Sequence, residues 1–189
     1  MLALRAERHP DVAPPAVRWL PFQLNPQLPP EGMPRAEYVA RKFGGRTGAY
    51  ERVTAVGRTV GIGFAFDRIT VQPNTLNAHR VLMRAEDDGL QDAMAETLFR
   101  AYFTEGADLT SLDTLADLAV QAGMERAATL AYLSSDDDRA AILDADAYFR
   151  ERVNGVPYFI FNRRVGVSGA QEAETLLDAF EQALQQTAS

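Results

Sequence analysis

The residues equipped for chemistry are few, and the most informative fact about them is an absence. None of the 189 residues is a cysteine, so these residues hold no thiolate nucleophile, no disulfide and no cysteine metal site. The two histidines, His9 and His79, lie far apart and outside any His-Glu-x-x-His spacing, which leaves almost nothing from which to build a zinc centre. An imidazole can serve as general acid or base near neutral pH. No nucleophile or paired carboxylate stands beside His79, however, so a solvent-facing or hydrogen-bonded ring is the plainer reading. His79 belongs to a polar cluster with Asn74, Asn77 and Arg80, in which Asn74 reads as a helix cap rather than a ligand. Asp136, Asp137 and Asp138 lack the glycine-spaced carboxylate loop of a calcium site and suit the positive end of a helix instead. Ser168 and Gln171 form Ser-x-x-Gln, a capping-box pattern. A helix N-terminus also attracts anions, but the cap accounts for both residues without a ligand.

These residues need elements to position them. Tyr158 to Phe161 and Val165 to Val167 are short apolar runs separated by Asn162-Arg163-Arg164, which predicts a β-hairpin entered through Val156-Pro157. The pattern then predicts a helix opening at Ser168–Gln171, with Ala173, Leu176, Leu177, Phe180 and Leu184 on one face. Pro157 has two local readings, a trans proline at a strand's first residue or a cis turn. Near the start, Leu2 to Arg8 looks like the end of a helix cut off by His9-Pro10, and Ala16 to Phe22 alternates loosely enough to be a strand. The proline-dense stretch from Gln23 to Pro34 should hold no regular element.

From Arg35 to about Val153 the pattern is helical. Two helices, Arg35–Phe43 and Ala49–Val60, flank Gly44-Gly45, and Gly61 to Pro73 is irregular. Asn74 caps a helix with Ala78, Val81, Leu82 and Ala85 inward, and Met94, Leu98, Phe99, Tyr102 and Phe103 form a second core stripe. Thr110-Ser111-Leu112-Asp113 resembles a capping box for a third helix, Met124–Leu133 is short, and a last helix follows Ser135 with Ile142, Ala145, Phe149 and Val153 inward. A helical block interrupting an α/β framework implies two subdomains, 1–33 with 150–189 and 34–149, with a site expected at their boundary.

Charge and hydropathy exclude some classes. With 19 basic against 26 acidic residues, a formal charge of -7 and an isoelectric point near 4.9, neither nucleic acid nor an anionic membrane surface is an expected partner. No stretch approaches the ~20 apolar residues of a membrane span, and charges fall where a signal peptide needs an apolar core, so a cytoplasmic protein is expected.

Four blocks carry a family resemblance: Trp19-Leu20-Pro21-Phe22-Gln23-Leu24-Asn25-Pro26, Pro73 to Arg80, Leu98 to Phe103, and Gly155 to Gln171. In this order they resemble the DsbA-like thioredoxin-fold oxidoreductases, within them the FrnE-like branch related to 2-hydroxychromene-2-carboxylate isomerases and kappa-class glutathione transferases. The resemblance implies an α/β thioredoxin-like fold, incomplete at its N-terminus, with a large all-helical insertion. It implies a cis Pro157 facing the active site, with Val156 and Pro157 gripping an extended substrate peptide like an added strand. It also implies a Cys-x-x-Cys after a first strand, and neither that strand nor the cysteines are present. The expectation is therefore an N-terminally shortened protein, weakened where the absent strand would leave backbone groups unpaired, and redox-inactive as it stands.

Three functions follow from the resemblance. The first is a protein-disulfide oxidoreductase acting on protein or peptide disulfides, with no cofactor and its cysteines outside these residues. The second is a glutathione-dependent isomerase or transferase, with glutathione as co-substrate held near Ser168 and Gln171 and with Asn74, Asn77 and His79 lining the cleft. The third is a non-catalytic peptide-binding module. A homodimer is expected by analogy alone.

Overall fold

The computed structural model describes residues 1–44, 48 and 50–186. In chain order it contains α1 (Leu2–Arg8), β1 (Met33–Pro34), α2 (Arg35–Phe43), α3 (Glu51–Thr59), β2 (Val71–Gln72), α4 (Leu76–Asp87) and α5 (Gln91–Arg100). A π-helical turn, Ala101–Glu105, continues α5, followed by α6 (Leu112–Gln121), α7 (Arg126–Ser134) and α8 (Arg139–Arg150). The chain closes with β3 (Tyr158–Phe161), β4 (Val165–Ser168) and α9 (Ala173–Gln185). Two compact units result, one running Arg18–Asp146 and the other joining the residues up to Val17 with those from Ala147 onward.

The helical unit is built on the predicted stripes. Ala78, Val81, Leu82 and Ala85 of α4 are buried together with Met94, Ala95 and Leu98 of α5 and Leu115, Leu118 and Ala119 of α6. Ser111 rather than Thr110 caps α6, its hydroxyl accepting the Thr114 N–H at 3.2 Å. Phe99 departs from the expected core stripe: it is 48% exposed and packs edge-on against Trp19, ring centroids 5.6 Å apart. The helix expected over 49–60 is seen as Glu51–Thr59, while Gly45 and Ala49 lie outside the described residues.

Two strand expectations need correction in this unit. The 23–34 stretch is not wholly irregular, because Met33↔Gln72 and Pro34↔Val71 form a short antiparallel ladder. The 16–22 stretch, conversely, joins no ladder among the described residues. Side chains hold its backbone instead: Gln91 accepts the Trp19 N–H through Oε1 at 2.9 Å and donates Nε2–H to the Trp19 carbonyl at 3.1 Å. A strand pattern marks alternate faces, and whether a ladder forms depends on a partner strand.

In the other unit β3 and β4 pair antiparallel in the register Tyr158↔Ser168, Phe159↔Val167, Ile160↔Gly166 and Phe161↔Val165. Alternation sends Phe159, Phe161, Val165 and Val167 to one face. Phe161 there meets Phe180 of α9 at 6.5 Å, beside buried Leu177 and Ala183. The opposite face holds Ile160, 46% exposed, and Tyr158, whose hydroxyl lies so closely over Gly166 that a Cβ there would clash with it. His9, just past α1, reaches Glu181 of α9 at 2.7 Å.

Candidate functional site

Val156 and Pro157 enter β3 at the surface. The bond between them is cis, Val156 is 47% exposed, and its own backbone N–H and C=O have no hydrogen-bond partner among the described residues. The Gly169 N–H donates to the Pro157 carbonyl at 2.9 Å, which brings the end of β4 beside the start of β3. Ser168 and Gly169 are thus adjacent to Pro157, as an anion site near the proline would require.

The capping box, however, does not form. Ser168 is the last residue of β4 and pairs with Tyr158, Gly169 turns the chain at φ +82°, and α9 begins only at Ala173 after Glu172. Gln171 donates Nε2–H to the Ser168 carbonyl at 2.9 Å, so one of its polar groups closes its own loop. Ser168 continues the apolar–polar alternation of Val165-Gly166-Val167, and the ladder wins over the local cap.

The second candidate cluster is brought together at the start of α4, and its polar atoms serve the fold. Thr75, not Asn74, is the N-cap of α4, without a side-chain cap bond; Asn74, one residue earlier, accepts the Leu76 N–H through Oδ1 at 3.0 Å in a local turn while its Nδ2–H donates to the Leu28 carbonyl at 2.6 Å and fastens the preceding loop. Asn77 Oδ1 accepts from Arg80 at 3.0 Å. His79 sits with Nδ1 2.7 Å from the Thr75 carbonyl, which can only accept, so the proton is on Nδ1. Nε2 is then the acceptor for the Phe22 N–H at 3.4 Å, and the next amide, Gln23 N–H, is taken by Asp146 Oδ1 at 2.6 Å.

Burial pushes the His79 pKa below the ordinary 6.5, against the Thr75 carbonyl and the Asp146 charge, which both raise it. The neutral ring therefore stabilises the fold fully above the unfolded value. That contribution is lost as the pH falls from about 6.5 through the lower folded value, with a slope of at most about 1.4 kcal/mol per pH unit. In a His9→Gln background, which removes the other imidazole, urea midpoints should drop over this window. His79→Gln should flatten the drop, and an unchanged slope would assign it to other groups.

Sequence reasoning singled out these residues but missed Gln91 and Asp146, which hold the 19–23 backbone, because nothing local marks a buried amide or carboxylate as a backbone partner. Among the described residues no group of three or more histidine, aspartate or glutamate side chains converges as a metal site. An open cleft lies elsewhere, between α2, α3 and the 61–67 loop. It has a volume of about 770 Å3, is largely open to solvent, and is lined by Arg35, Tyr50, Arg58, Phe64 and Phe66 among others.

The β3–β4 hairpin, entered through Val156-Pro157 and backed by α9, belongs to one unit of the chain, and the helical block makes up the other. The chain belongs to the DsbA-like thioredoxin domain family, whose model matches residues 4–181. It is similar to the crystal structure of a probable DsbA oxidoreductase from Streptomyces coelicolor, with 25% identity, a TM-score of 0.78, and coverage of 87% of this chain and 73% of that one. No curated protein matches. The fold is thus the thioredoxin-like α/β fold with a helical insertion, without the redox cysteine pair. Among the described residues no helix is long and apolar enough to cross a membrane.

Proposed function

We propose that this chain is the substrate-gripping part of a DsbA-type thiol–disulfide oxidoreductase of the FrnE-like branch. The observation that carries the reading is the exposed Val156, whose N–H and C=O, without partners among the described residues, sit at the head of β3 in a chain matched by the DsbA-like family over 4–181. An extended peptide carrying a disulfide would pair with that backbone as an added strand. Exchange proceeds by thiolate attack on one sulfur, forming a new S–S bond as the other sulfur leaves as thiolate, and a second thiol then resolves the mixed disulfide. No residue here supplies either thiol, so both come from outside these 189 residues.

The absence of cysteine also favours a second reading, in which glutathione's thiolate does the chemistry on the same fold. The two readings predict different ligands. Titrating the 189-residue chain with an extended peptide bearing an oxidised cystine should perturb the amide resonances of Gly155, Val156 and Tyr158, and Val156→Lys should weaken the effect. Perturbation by reduced glutathione alone, centred on Ser168 and Gln171, would support the second reading. No response to either would overturn both. In either case the chain alone should leave insulin disulfides intact, since it has no sulfur nucleophile. The intact mass of the protein from its natural source tests whether cysteines accompany it there.

A further inference from the structure

Asn154-Gly155 is the only asparagine–glycine pair in the sequence, and it stands directly before Val156. Asparagine is one of the thermally labile residues, because its side-chain carbonyl can be attacked by the backbone nitrogen of the next residue. Attack needs a free side chain, a free following N–H and no Cβ in the way. Asn154 is exposed in a bend after α8, and neither its side chain nor the Gly155 N–H has a hydrogen-bond partner among the described residues. A Cβ built on Gly155 would meet nothing within 4 Å among the described residues, so the space around the attacking nitrogen is open. Glycine also has the backbone freedom that ring closure demands.

The other asparagines each lack one of these features. Asn25 precedes Pro26, whose nitrogen carries no proton. Asn74 is bonded through both side-chain polar atoms, Asn77 accepts from Arg80 within α4, and Asn162 donates to the Ala183 carbonyl at 3.3 Å. Asp88-Gly89 has a glycine in the right place, but the Gly89 N–H donates to the Glu86 carbonyl at 3.0 Å.

We propose that Asn154 is a deamidation site, and that its isoaspartyl product displaces the Val156 backbone and so switches off peptide capture there. The Gly155 nitrogen loses its proton and bonds to Asn154 Cγ, and the side-chain nitrogen leaves as ammonia, closing a succinimide. Water then opens the ring at one of its two carbonyls, giving aspartate with the original backbone or isoaspartate with the chain routed through the side-chain carbon. One water is consumed and one ammonia released, with no change of oxidation state. The isoaspartyl route adds a C–C bond of about 1.5 Å to the backbone. That length enters a three-residue span fixed at both ends: buried Val153 donates its N–H to the Phe149 carbonyl at 2.8 Å, and the Pro157 carbonyl accepts from Gly169 at 2.9 Å. A displacement of that size exceeds the roughly 0.5 Å range of a good N–H···O distance, so the Val156 groups lose their alignment. The consequence for peptide capture rests on the function proposed above; the deamidation does not.

The 189-residue chain is incubated at mildly alkaline pH and physiological temperature, and its asparagines are followed by peptide mapping with mass spectrometry. Asn154 should deamidate at least about 10-fold faster than Asn74, Asn77 or Asn162, and Gly155→Ala, which the open space accommodates, should slow it about 10-fold. Equal rates at these asparagines, or no slowing in Gly155→Ala, would overturn the site. In the amide spectrum of the aged protein the isoaspartyl species should show displaced Val156 and Tyr158 resonances and bind the cystine peptide at least about 10-fold more weakly than the parent. Asn154→Asp adds the charge without the extra backbone atom and should bind like the parent. Unmoved resonances, or equal binding by the isoaspartyl species, would overturn the switch. A parent that binds no peptide would overturn the capture reading and the switch with it, while the rates still decide the site.

Discussion

Replacing Arg80 with alanine is expected to destabilise the protein by about 3–5 kcal/mol, a large part of the 5–15 kcal/mol available to an ordinary domain. Arg80 is 1% exposed, and its partners are neutral oxygens, not a carboxylate. The Nε–H donates to the Asp137 carbonyl at 3.1 Å, and Nη1 to the Leu133 carbonyl and to Asn77 Oδ1 at 3.1 and 3.0 Å. Nη2 reaches the carbonyls of Tyr132, Ser135 and Asp137 at 2.9, 2.8 and 2.8 Å. The guanidinium thus closes the C-terminal end of α7, where helix carbonyls lack intrahelical donors and carry the negative end of the dipole. Its charge also stacks on Tyr132, 4.8 Å from the ring centroid.

Alanine would leave these carbonyls buried without donors and open a cavity beside α4. Arg80→Lys keeps the charge but cannot span acceptors spread over 132–137, so it should recover only a minor fraction. Urea midpoints followed by far-ultraviolet circular dichroism would check both variants. An alanine loss below about 1 kcal/mol would mean that water replaces the guanidinium at no penalty.

Gly106→Ala should cost roughly 2–4 kcal/mol for a different reason. Gly106 ends the π-helical turn at φ +78°, where a side chain is strained by about 1–2 kcal/mol. A Cβ there would also meet the Cβ and carbonyl oxygen of Arg68 at 2.6 and 2.7 Å. The backbone cannot yield easily, since the Ala65 N–H is tied to the Phe103 carbonyl and the Arg68 N–H to Ala65, both within the same loop. Gly44 is a useful control: it too has positive φ, +61°, but a Cβ there meets nothing within 4 Å among the described residues. Gly44→Ala should therefore show the conformational strain alone, and a comparable loss at both positions would refute the contact argument.

The fold was legible where periodicity and burial coincide. The α4 stripe of Ala78, Val81, Leu82 and Ala85 is buried as its spacing predicts, and the 158–161 and 165–167 runs pair around a turn whose Asn162 and Arg163 adopt positive φ. It was illegible where one pattern serves two purposes. Ser-x-x-Gln at 168–171 has the letters of a cap, but Ser168 is also the next polar position of a strand, and only the long-range partner Tyr158 decides between them. Met33–Pro34 with Val71–Gln72 is too short to show any period.

The candidate site was legible in part. The Val156–Pro157 entry and the 74–80 cluster were both identifiable, but the direction of each polar atom was not. His79 and Asn77 face internal partners.

Trp19 has a consequence of another kind. It is the sole tryptophan, its indole N–H donates to Asp92 Oδ1 at 2.6 Å, and its ring rests edge-on against Phe99. These partners all lie within Arg18–Asp146, so its fluorescence emission reports on that unit alone, whereas the circular dichroism signal sums over both. Coincident melting by the two probes would mean that the units lose structure as one cooperative body. Divergence would give each its own free energy and would say which lets go first.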